Sequence, residues 1–261
     1  MTQLVVLCGG LGTRMASVSG GVQKCMLPVA GRPFLSHVLD RAVRPPVDRI
    51  LLLAGHDARS VRELADAWQS PHRGELSPMP LPGVGPTRAP LHVEVLVEGA
   101  PAGPVGALRE ALSRLDEEFL LVLGDVLPPD RRDLWQALSG TLRRQRAQAV
   151  MSAAPASRSH DPGNISVDGP WIDRYDKGSG APYIDRGVRF LRRDALKCHP
   201  GDSDSPFFGA LAAQRGLAHW ICDEPIVEIG TPDRWRHACA TLADLPSGPY
   251  ATPSRAERQR R

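Results

Sequence analysis

Residues 4–14 read Leu-Val-Val-Leu-Cys-Gly-Gly-Leu-Gly-Thr-Arg, a short apolar run that leads directly into a glycine-rich loop. Such a run, bounded by glycine, is typical of a strand that is buried on both faces of a parallel sheet. Glycines let backbone N–H groups approach an anion, and the arginine at the end of the loop adds a planar fork that fits phosphate oxygens. The spacing matches neither a Walker A loop nor the dinucleotide fingerprint. A tight turn with an exposed arginine is an alternative, and the loop alone does not decide between the two.

Strand-like and helix-like segments alternate along the first half of the chain. Four more apolar runs resemble the first one, and amphipathic helical patterns lie between them. The predicted strands are 4–8, 50–54, 91–97, 119–123 and 149–153. One predicted helix begins at residue 33, and three others cover 58–68, 104–115 and 131–146. This alternation predicts an α/β fold with a Rossmann-like, doubly wound, mostly parallel sheet that binds ligands at the carboxyl ends of its strands. For the second half we predict short strands, turns and a helix near 206–215.

Length alone fits one large α/β domain as well as two small ones, and two irregular stretches interrupt the pattern of strands and helices. The chain has 261 residues, of which 42% are hydrophobic, and this is enough for a sizeable core. Residues 70–90 contain six prolines, too many for a helix or a central strand, and are predicted to form a surface insertion. Residues 246–261 are predicted to form a disordered basic tail. We therefore expect a single folded domain at 1–245.

Charge and composition exclude several classes of protein. The net charge is +3, and the last eleven residues, with four arginines and one glutamate, account for all of it, so a basic face for nucleic acid is not expected. The five cysteines are scattered without a C-x-x-C pair, as expected for reduced thiols in a cytoplasmic protein. No apolar run reaches the ~18 residues of a membrane helix, and the start lacks the features of a secretory signal. We therefore expect a cytoplasmic protein that binds neither nucleic acid nor membrane.

A second motif follows the glycine-rich loop. Residues 23–33 read Gln-Lys-Cys-Met-Leu-Pro-Val-Ala-Gly-Arg-Pro. Together with the loop at 9–14, this segment resembles the opening of the sugar nucleotidyltransferases, the sugar-1-phosphate nucleotide pyrophosphorylases, in which a Gly-Gly-x-Gly-Thr-Arg loop precedes Pro-Lys-Pro-Met-Leu-Pro. Lys24 takes the lysine position, while Gln23 and Cys25 replace the flanking prolines. Without that context, a single lysine in a loop is usually a solvated residue.

The resemblance implies roles for residues of both motifs. Arg14 and Lys24 are expected to act in catalysis, because the resemblance places Arg14 on the leaving end of the triphosphate and Lys24 on the charge that grows at the α-phosphate. The loop residues expected to bind the nucleotide are Gly9, Gly10, Gly12 and Thr13.

Residues 98–108, Glu-Gly-Ala-Pro-Ala-Gly-Pro-Val-Gly-Ala-Leu, are similar to the family's E-x-x-P-L-G-T-A-G-A-L segment, a loop that contacts the base and starts a helix. The resemblance places Glu98 and Gly103 at the nucleotide and is greatest to the mannose- and heptose-1-phosphate guanylyltransferases. A carboxylate offers only acceptors, and the Watson–Crick edge of guanine presents two adjacent donors, so Glu98 predicts a preference for GTP. An ordinary loop that enters a helix also explains the segment, because Pro104 suits a first helical turn.

Two carboxylates are candidate metal ligands. Asp125 follows the apolar run at 121–123, and a carboxylate at a strand end is poorly solvated and needs a partner, most simply a metal. It matches the family's Gly-Asp, whose aspartate binds magnesium, and residues 228–233 resemble the family's Asp-x-Gly-Thr-Pro-Glu. The resemblance thus implies Mg²⁺ held by Asp125 and Glu228. The alternatives are an aspartate that caps the next turn and a surface glutamate before a helix that Thr231 caps.

Two segments of the second half resemble the family's sugar site. Asp176-Lys177 is similar to an acidic-Lys pair whose lysine grips the sugar phosphate, and residues 183–188 are similar to the family's Asn-Ala-Gly-Ile-Tyr strand. The resemblance therefore implies that Lys177 and Asp185 bind the sugar phosphate, with Asp185 in the polar position that meets sugar hydroxyls.

Five motifs occur in the family's order. They imply a nucleotidyltransferase domain at 1–245, with a nucleotide-binding half at 1–153 and a sugar-binding half at 154–245. The implied substrates are an NTP and a sugar 1-phosphate, the implied cofactor is Mg²⁺, and a homo-oligomer is compatible with the resemblance. The alternative is a non-catalytic homologue that acts as a sugar-nucleotide sensor or a partner subunit. The altered flank of Lys24, the change to Pro104-Val105 and the glutamate at 228 in place of aspartate favour that alternative.

Overall fold

The structure is a computed structural model that describes residues 2–9, 15–55, 58–69, 91–99, 102–199 and 201–243. The predicted insertion at 70–90 and the predicted tail at 246–261 lie outside these ranges. Four loop residues with predicted roles also lie outside the described residues, and these are Gly10, Gly12, Thr13 and Arg14.

The secondary structure agrees with the predicted elements of the first half and adds several in the second. The strands are β1 (Gln3–Leu7), β2 (Pro28–Val29), β3 (Arg32–Pro33), β4 (Arg49–Ala54), β5 (His92–Val97), β6 (Glu118–Leu123), β7 (Ala149–Pro155), β8 (Ile165–Asp168), β9 (Trp171–Tyr175), β10 (Tyr183–Arg192) and β11 (Leu217–Ile221). The helices are α1 (Ala16–Ser19), α2 (Phe34–Ala42), α3 (Ala58–Gln69), α4 (Gly103–Glu110), α5 (Leu134–Gln145), α6 (Ala195–Cys198), α7 (Asp204–Ala213) and α8 (Pro232–Thr241).

Within the described residues, nine strands form one mixed sheet in the order β5-β4-β1-β6-β10-β7-β11-β9-β8. The first four of these are parallel. β10 runs antiparallel to both of its neighbours, β6 and β7, so the two predicted halves of the chain share one sheet. β9 is antiparallel to β11 and to β8, and β8 also pairs with β10 through Ile165 and Tyr183, which gives this end a barrel-like curve.

The prediction of a mostly parallel sheet is therefore correct for β5, β4, β1 and β6 and for the parallel pair β7 and β11, and it is wrong for β10, β9 and β8, whose pairings are antiparallel. Parallel neighbours need a long crossover connection, usually a helix, and the first half supplies one between successive strands. Only residues 169 and 170 separate β8 from β9, so these two strands form an antiparallel hairpin.

Helices cover both faces of the sheet. Along β1, Leu4 and Val6 pack into a hydrophobic cluster with α2, α3, α5 and α8, whereas Val5 and Leu7 pack into a second cluster with α4, α6 and α7. Since side chains alternate between the faces of a strand, residues 4–7 of β1 are apolar at successive positions and so contribute to both clusters. The chain is thus a mixed α/β single domain, and no described helix is long and apolar enough to cross a bilayer.

The carboxyl ends of the parallel strands meet at one edge. Leu7 at the end of β1 lies opposite Leu53 of β4 and Leu123 of β6. Consequently, Gly9 and Asp125, which follow β1 and β6, lie at the same edge of the sheet. This edge is where open α/β sheets bind their ligands.

Candidate active site

A close approach between two strands fixes the position of Asp125. The N–H of Gly124 donates to the carbonyl oxygen of Leu7 at 2.9 Å. A Cβ at position 124 would lie only 2.8 Å from the same oxygen, so glycine is required for the approach. Asp125 therefore leaves β6 directly beside the end of β1.

Lys24 reaches Asp125 from the loop that follows β1. It begins a 3₁₀ turn, Lys24–Met26, and its Nζ donates to Asp125 Oδ2 in an ion pair. The next residue, Cys25, is buried, and its Sγ lies 3.7 Å from the carbonyl oxygen of Cys8. Although Cys25 replaces a proline of the family motif, it anchors the turn against β1 and so supports the position of Lys24.

Glu228 arrives at the same place from the far end of the chain. Val126 and Glu228 form an antiparallel bridge, and the N–H of Ile229 donates to the carbonyl oxygen of Asp125 at 3.0 Å. Burial raises the pKa of Glu228 above its ordinary value, and the negative charge of Asp125 raises it further, although Arg234 and the N–H of Gly230 act in the opposite direction. Two carboxylates from distant parts of the chain thus interact at the edge of the sheet.

The side chain of Glu228 folds back on its own backbone. Its Oε2 accepts a hydrogen bond from the N–H of Gly230 at 2.7 Å, and its Oε1 forms an ion pair with Arg234 Nη1. This folded-back conformation of the Glu228 side chain accommodates the extra methylene that distinguishes it from the family's aspartate. Sequence analysis did not single out Arg234. The available signal was a cation in the first turn of a helix, where the helix dipole disfavours positive charge.

Gly230→Ala tests whether this folded position matters. An added Cβ would lie 2.5 Å from Glu228 Oε2, and the flexible carboxylate would move rather than the backbone. We therefore expect unchanged melting behaviour and a loss of activity of about tenfold or more, as for a misplaced group in an active site. The matched control is Gly140→Ala on α5, where the added Cβ would meet only the end of Arg144 at 3.2 Å. Equal activities of the two variants would contradict the expectation.

Asp125 and Glu228 have the chemistry of a magnesium site. Mg²⁺ takes oxygen ligands, commonly one or two carboxylates together with substrate phosphates. In the part of the chain that the structure describes, no group of three or more His, Cys, Asp or Glu side chains is placed to hold a metal ion. The protein's share would therefore be these two carboxylates. After burial, the negative charge of Asp125 contributes to the raised pKa of Glu228. A divalent cation would relieve such a repulsion, so the residues fit the ion.

Glu98 follows β5 and lies on the opposite side of β1 from Asp125. Its N–H donates to the carbonyl oxygen of Ala54 at 2.9 Å, and its carboxylate lies so close to Gly9 that a Cβ at position 9 would overlap Oε1. Burial raises the pKa of Glu98, and the charge of Glu110 raises it further. None of the described residues donates a hydrogen bond to this carboxylate. With respect to the described residues, both of its oxygens are therefore available as acceptors beside Gly9.

Gly103 is required by a close contact at the start of α4. Its φ is +79°, and a Cβ there would lie 2.7 Å from the carbonyl oxygen of Asp202. The same oxygen accepts hydrogen bonds from the N–H groups of Val105 at 3.0 Å and Gly106 at 3.2 Å. The chain itself therefore caps the first turn of α4, and the glycine predicted to bind nucleotide has a clear structural role.

Lys177 and Asp185 belong to one buried network of charges. Arg189 donates to both oxygens of Asp204 at 3.0 Å and to Asp185 Oδ2 at 2.5 Å. Lys177 Nζ lies 3.4 Å from Asp204 Oδ2, and the Tyr175 hydroxyl donates to Asp185 Oδ2 at 3.3 Å. The structure thus brings together the two residues that were predicted to bind the sugar phosphate.

The two residues differ in how available they are to a ligand. The N–H of Gly187 donates to Asp185 Oδ1 at 2.8 Å, so both oxygens of Asp185 already have partners, and its side chain is only 7% exposed. The side chain of Lys177 is 60% exposed. Lys177 can therefore reach a phosphate directly, whereas a sugar hydroxyl would have to displace a partner of Asp185.

A family model described as "MobA-like NTP transferase domain" matches residues 4–163. The D-glycero-alpha-D-manno-heptose 1-phosphate guanylyltransferase of Aneurinibacillus thermoaerophilus is 22% identical over 244 residues, which cover 90% of this chain and 96% of the relative. The CMP-5'-(3-aminopropyl)phosphonate synthase of Streptomyces rubellomurinus is 32% identical over 123 residues, 47% of this chain and 17% of the relative. This chain thus spans less than a fifth of that synthase.

A solved structure with the same fold is that of HddC from Yersinia pseudotuberculosis complexed with GMP-PN. It superimposes with a TM-score of 0.67 at 21% sequence identity and covers 93% of this chain and 100% of its own. At this level of identity the likeness concerns the fold alone.

Proposed function

The chain belongs to the MobA-like NTP transferase domain family, and from that premise we propose that it transfers a nucleotidyl group from an NTP to a sugar 1-phosphate. The products are an NDP-sugar and pyrophosphate, GTP is the favoured donor, and Mg²⁺ is the cofactor. The fold type that accompanies this activity is the Rossmann-like, doubly wound sheet of the nucleotide-diphospho-sugar transferases. The relative named a heptose 1-phosphate guanylyltransferase, which aligns with 90% of the chain, supports both the acceptor class and the base.

The observation that carries the proposal is the meeting of Lys24, Asp125 and Glu228 at the carboxyl edge of the sheet. Lys24 contacts Asp125, and the backbone beside Asp125 pairs with that beside Glu228. A homologue that had become a sensor or a partner subunit would be free to lose one of these charges. All three are present at one edge of the sheet, with Lys24 in contact with Asp125 and Glu228 brought beside them by backbone pairing, which favours a working enzyme.

The proposed reaction requires little covalent chemistry from the protein. An oxygen of the sugar phosphate attacks the α-phosphorus of the NTP, a new O–P bond forms, and the bond to pyrophosphate breaks. The sugar phosphate is already ionised at neutral pH, so no general base is needed. Catalysis then depends on positioning and charge neutralisation.

Each charged residue has a part in that positioning. Lys24 steadies the charge that grows at the α-phosphate, and the exposed ammonium of Lys177 holds the acceptor phosphate. Asp125 and Glu228 would hold Mg²⁺, which when bound neutralises phosphate charge and orients the reacting groups. The backbone of the glycine-rich loop would bind the triphosphate, with Arg14 at its leaving end. The loop residues in that proposal are Gly9, Gly10, Gly12 and Thr13.

A pyrophosphate-release assay tests the proposal. Each of the four NTPs is offered with a panel of sugar 1-phosphates, among them mannose- and heptose-type phosphates. An aminoalkylphosphonate is added because one relative is named a CMP-phosphonate synthase. Release that requires both an NTP and a sugar 1-phosphate supports the proposal. If only the phosphonate supports release, the acceptor is a phosphonate rather than a sugar 1-phosphate. If no pair of an NTP and an acceptor gives release, the proposed activity is refuted.

Glu98→Gln is expected to reduce the preference for GTP over dTTP by about tenfold or more, because a lost match between buried donors and acceptors costs about 1–3 kcal/mol. An amide presents one donor and one acceptor, so it no longer matches the two adjacent donors of guanine. The measurement is kcat/KM for GTP and for dTTP in the wild type and the variant. A wild type that prefers dTTP or UTP, or an unchanged ratio in the variant, would contradict the prediction.

Glu110→Gln provides the matched control for that experiment. Glu110 is the neighbouring carboxylate, and its Oε1 accepts a hydrogen bond from the N–H of Gly99 at 3.1 Å. The control removes one negative charge near Glu98 without changing the acceptors beside Gly9. The ratio of GTP to dTTP should therefore remain that of the wild type.

A further inference from the structure

Arg234 holds a carboxylate of the proposed metal pair in an arrangement that no motif of the sequence explains. It lies in the first turn of α8, where its N–H donates to Thr231 Oγ1 at 3.4 Å. Its guanidinium binds Asp161 through both terminal nitrogens, at 2.8 and 2.5 Å. Nη1 also forms an ion pair with Glu228 Oε1. The two-point contact with Asp161 fixes the plane of the guanidinium and so fixes where it meets Glu228.

The charges around the proposed metal pair alternate in sign. Asp161, Arg234 and Glu228 form one contact series, and Asp125 and Lys24 form a second beside it. Each carboxylate of the pair therefore has its own cation. The side chains of Arg234 and Glu228 are only 15% and 19% exposed, so solvent screens their attraction less than that of an ordinary surface pair.

We propose that Arg234 is a built-in counter-ion that competes with a divalent cation for Glu228 and thereby sets how much metal the site needs. This inference rests on the proposed function, because it takes Asp125 and Glu228 as the metal pair. The competition has a simple cause. An oxygen of Glu228 that accepts from a guanidinium must share its lone pairs with an incoming cation, and the guanidinium repels that cation.

Asp161 moderates the competition. Its carboxylate binds the outer side of the guanidinium and offsets part of the positive charge that faces the metal pair. It also draws the guanidinium towards itself. Removal of the charge of Asp161 should therefore strengthen the contact of Arg234 with Glu228 and weaken metal binding, which is the opposite of the effect of removing Arg234.

Arg234 is suited to this positioning role rather than to direct phosphate binding. Two carboxylates already occupy its terminal nitrogens, and their contacts raise the pKa of its guanidinium, first through the Asp161 hydrogen bonds. A phosphate would have to compete with these two carboxylates for the guanidinium. Among the described residues, the ammonium groups of Lys24 and Lys177 each contact a single carboxylate, which suits them better to binding a phosphate.

The test is direct binding of Mn²⁺, as a probe for Mg²⁺, to the full-length protein without substrates, measured by calorimetry and by the loss of the free-Mn²⁺ EPR signal. Arg234→Gln should lower the Kd for Mn²⁺ by about fivefold or more, because it removes a full competing charge. Arg234→Lys keeps the charge and should stay within about twofold of the wild type, whereas Asp161→Asn should raise the Kd. The matched control is Arg236→Gln on the same helix, whose side chain is 67% exposed and pairs with Asp233.

The outcomes separate this inference from the proposed function. A Kd in Arg234→Gln that is unchanged or higher, in a protein whose circular dichroism is that of the wild type, overturns the inference. If that variant does not fold, Asp161→Asn decides, and an unchanged or lower Kd overturns it. In either case Glu228→Gln must still weaken Mn²⁺ binding if the metal pair is correct. If Glu228→Gln binds Mn²⁺ as the wild type does, the metal pair itself is wrong and both statements fall.

Discussion

Asp125→Asn is expected to lower turnover by at least about a hundredfold, the scale on which the removal of one charge-stabilising group acts in other enzymes. The amide is neutral, so it loses the ion pair with Lys24 and half of the negative charge that would hold Mg²⁺. The backbone contacts that place residue 125 come from Gly124 and Ile229, and the substitution leaves them intact. We therefore expect a folded protein with an unchanged circular dichroism spectrum, and the measurement is pyrophosphate release at saturating substrates.

Asp130→Asn is the matched control for Asp125→Asn. Asp130 lies in the same connection after β6, its side chain is 66% exposed, and it pairs with Arg44 at 3.8 Å. An exposed pair of this kind contributes little, so the control should keep wild-type turnover. Full activity in Asp125→Asn, or activity that persists in excess EDTA, would refute the metal-dependent mechanism.

The first half of the fold could be predicted because its strands carry the information locally. β1 and β6 feed hydrophobic clusters on both faces of the sheet, so their sequences are continuously apolar and stand out. In β10 the same burial is achieved differently. Arg186 and Arg189 are 2% and 1% exposed, yet a pattern of hydrophobicity treats arginine as a surface residue. For this reason neither the length of β10 nor its antiparallel position could be predicted.

Long-range contacts explain why those arginines can be buried. Arg186 donates to the backbone carbonyls of Cys222 and Glu224, and Arg189 pairs with Asp204. These partners lie 15 to 38 residues further along the chain. No local period links such residues, so only the folded structure shows that each buried guanidinium has hydrogen-bond partners.

In the candidate site, too, the local motifs could be recognised from the sequence, whereas the long-range contacts could not. The motifs that contain Lys24, Asp125 and Glu228 were recognisable because each has a local form, and β1 and β6 end at the same edge of the sheet. The contact of Arg234 with Asp161 joins residues that are 73 positions apart and has no local form. The acceptors of Asp185 also looked free in the sequence, whereas in the structure Gly187, Tyr175 and Arg189 donate to them.

Arg189→Met is expected to destabilise the protein by about 3–5 kcal/mol, the usual cost of removing one partner from a buried ion pair. The wild-type guanidinium is 1% exposed and neutralises two carboxylates, Asp185 and Asp204, which are 7% and 5% exposed. It also stacks over the ring of Phe208, with its central carbon 4.4 Å from the ring centroid, and methionine keeps part of that packing. The control is Arg215→Met, an exposed partner of Asp168, which should change stability by no more than about 0.5 kcal/mol. The measurement is urea unfolding at neutral pH.

The pH dependence of stability distinguishes the loss of charge pairing in Arg189→Met from a loss of packing alone. Burial on its own raises the pKa of Asp204, but the charges of Arg189 and Lys177 outweigh it and hold the pKa below the ordinary value of 3.8. The wild-type pair is therefore stabilising above that value, and the contribution is lost as the pH falls through the lower pKa of the folded state. In Arg189→Met, Asp204 loses its main partner, and burial should then raise the pKa of this carboxyl. Folding of the variant would take up protons, so its free energy of unfolding should rise relative to that of the wild type as the pH falls from 7 to 5. If the variant instead lost stability relative to the wild type over that range, Asp204 would not depend on Arg189 for its charge.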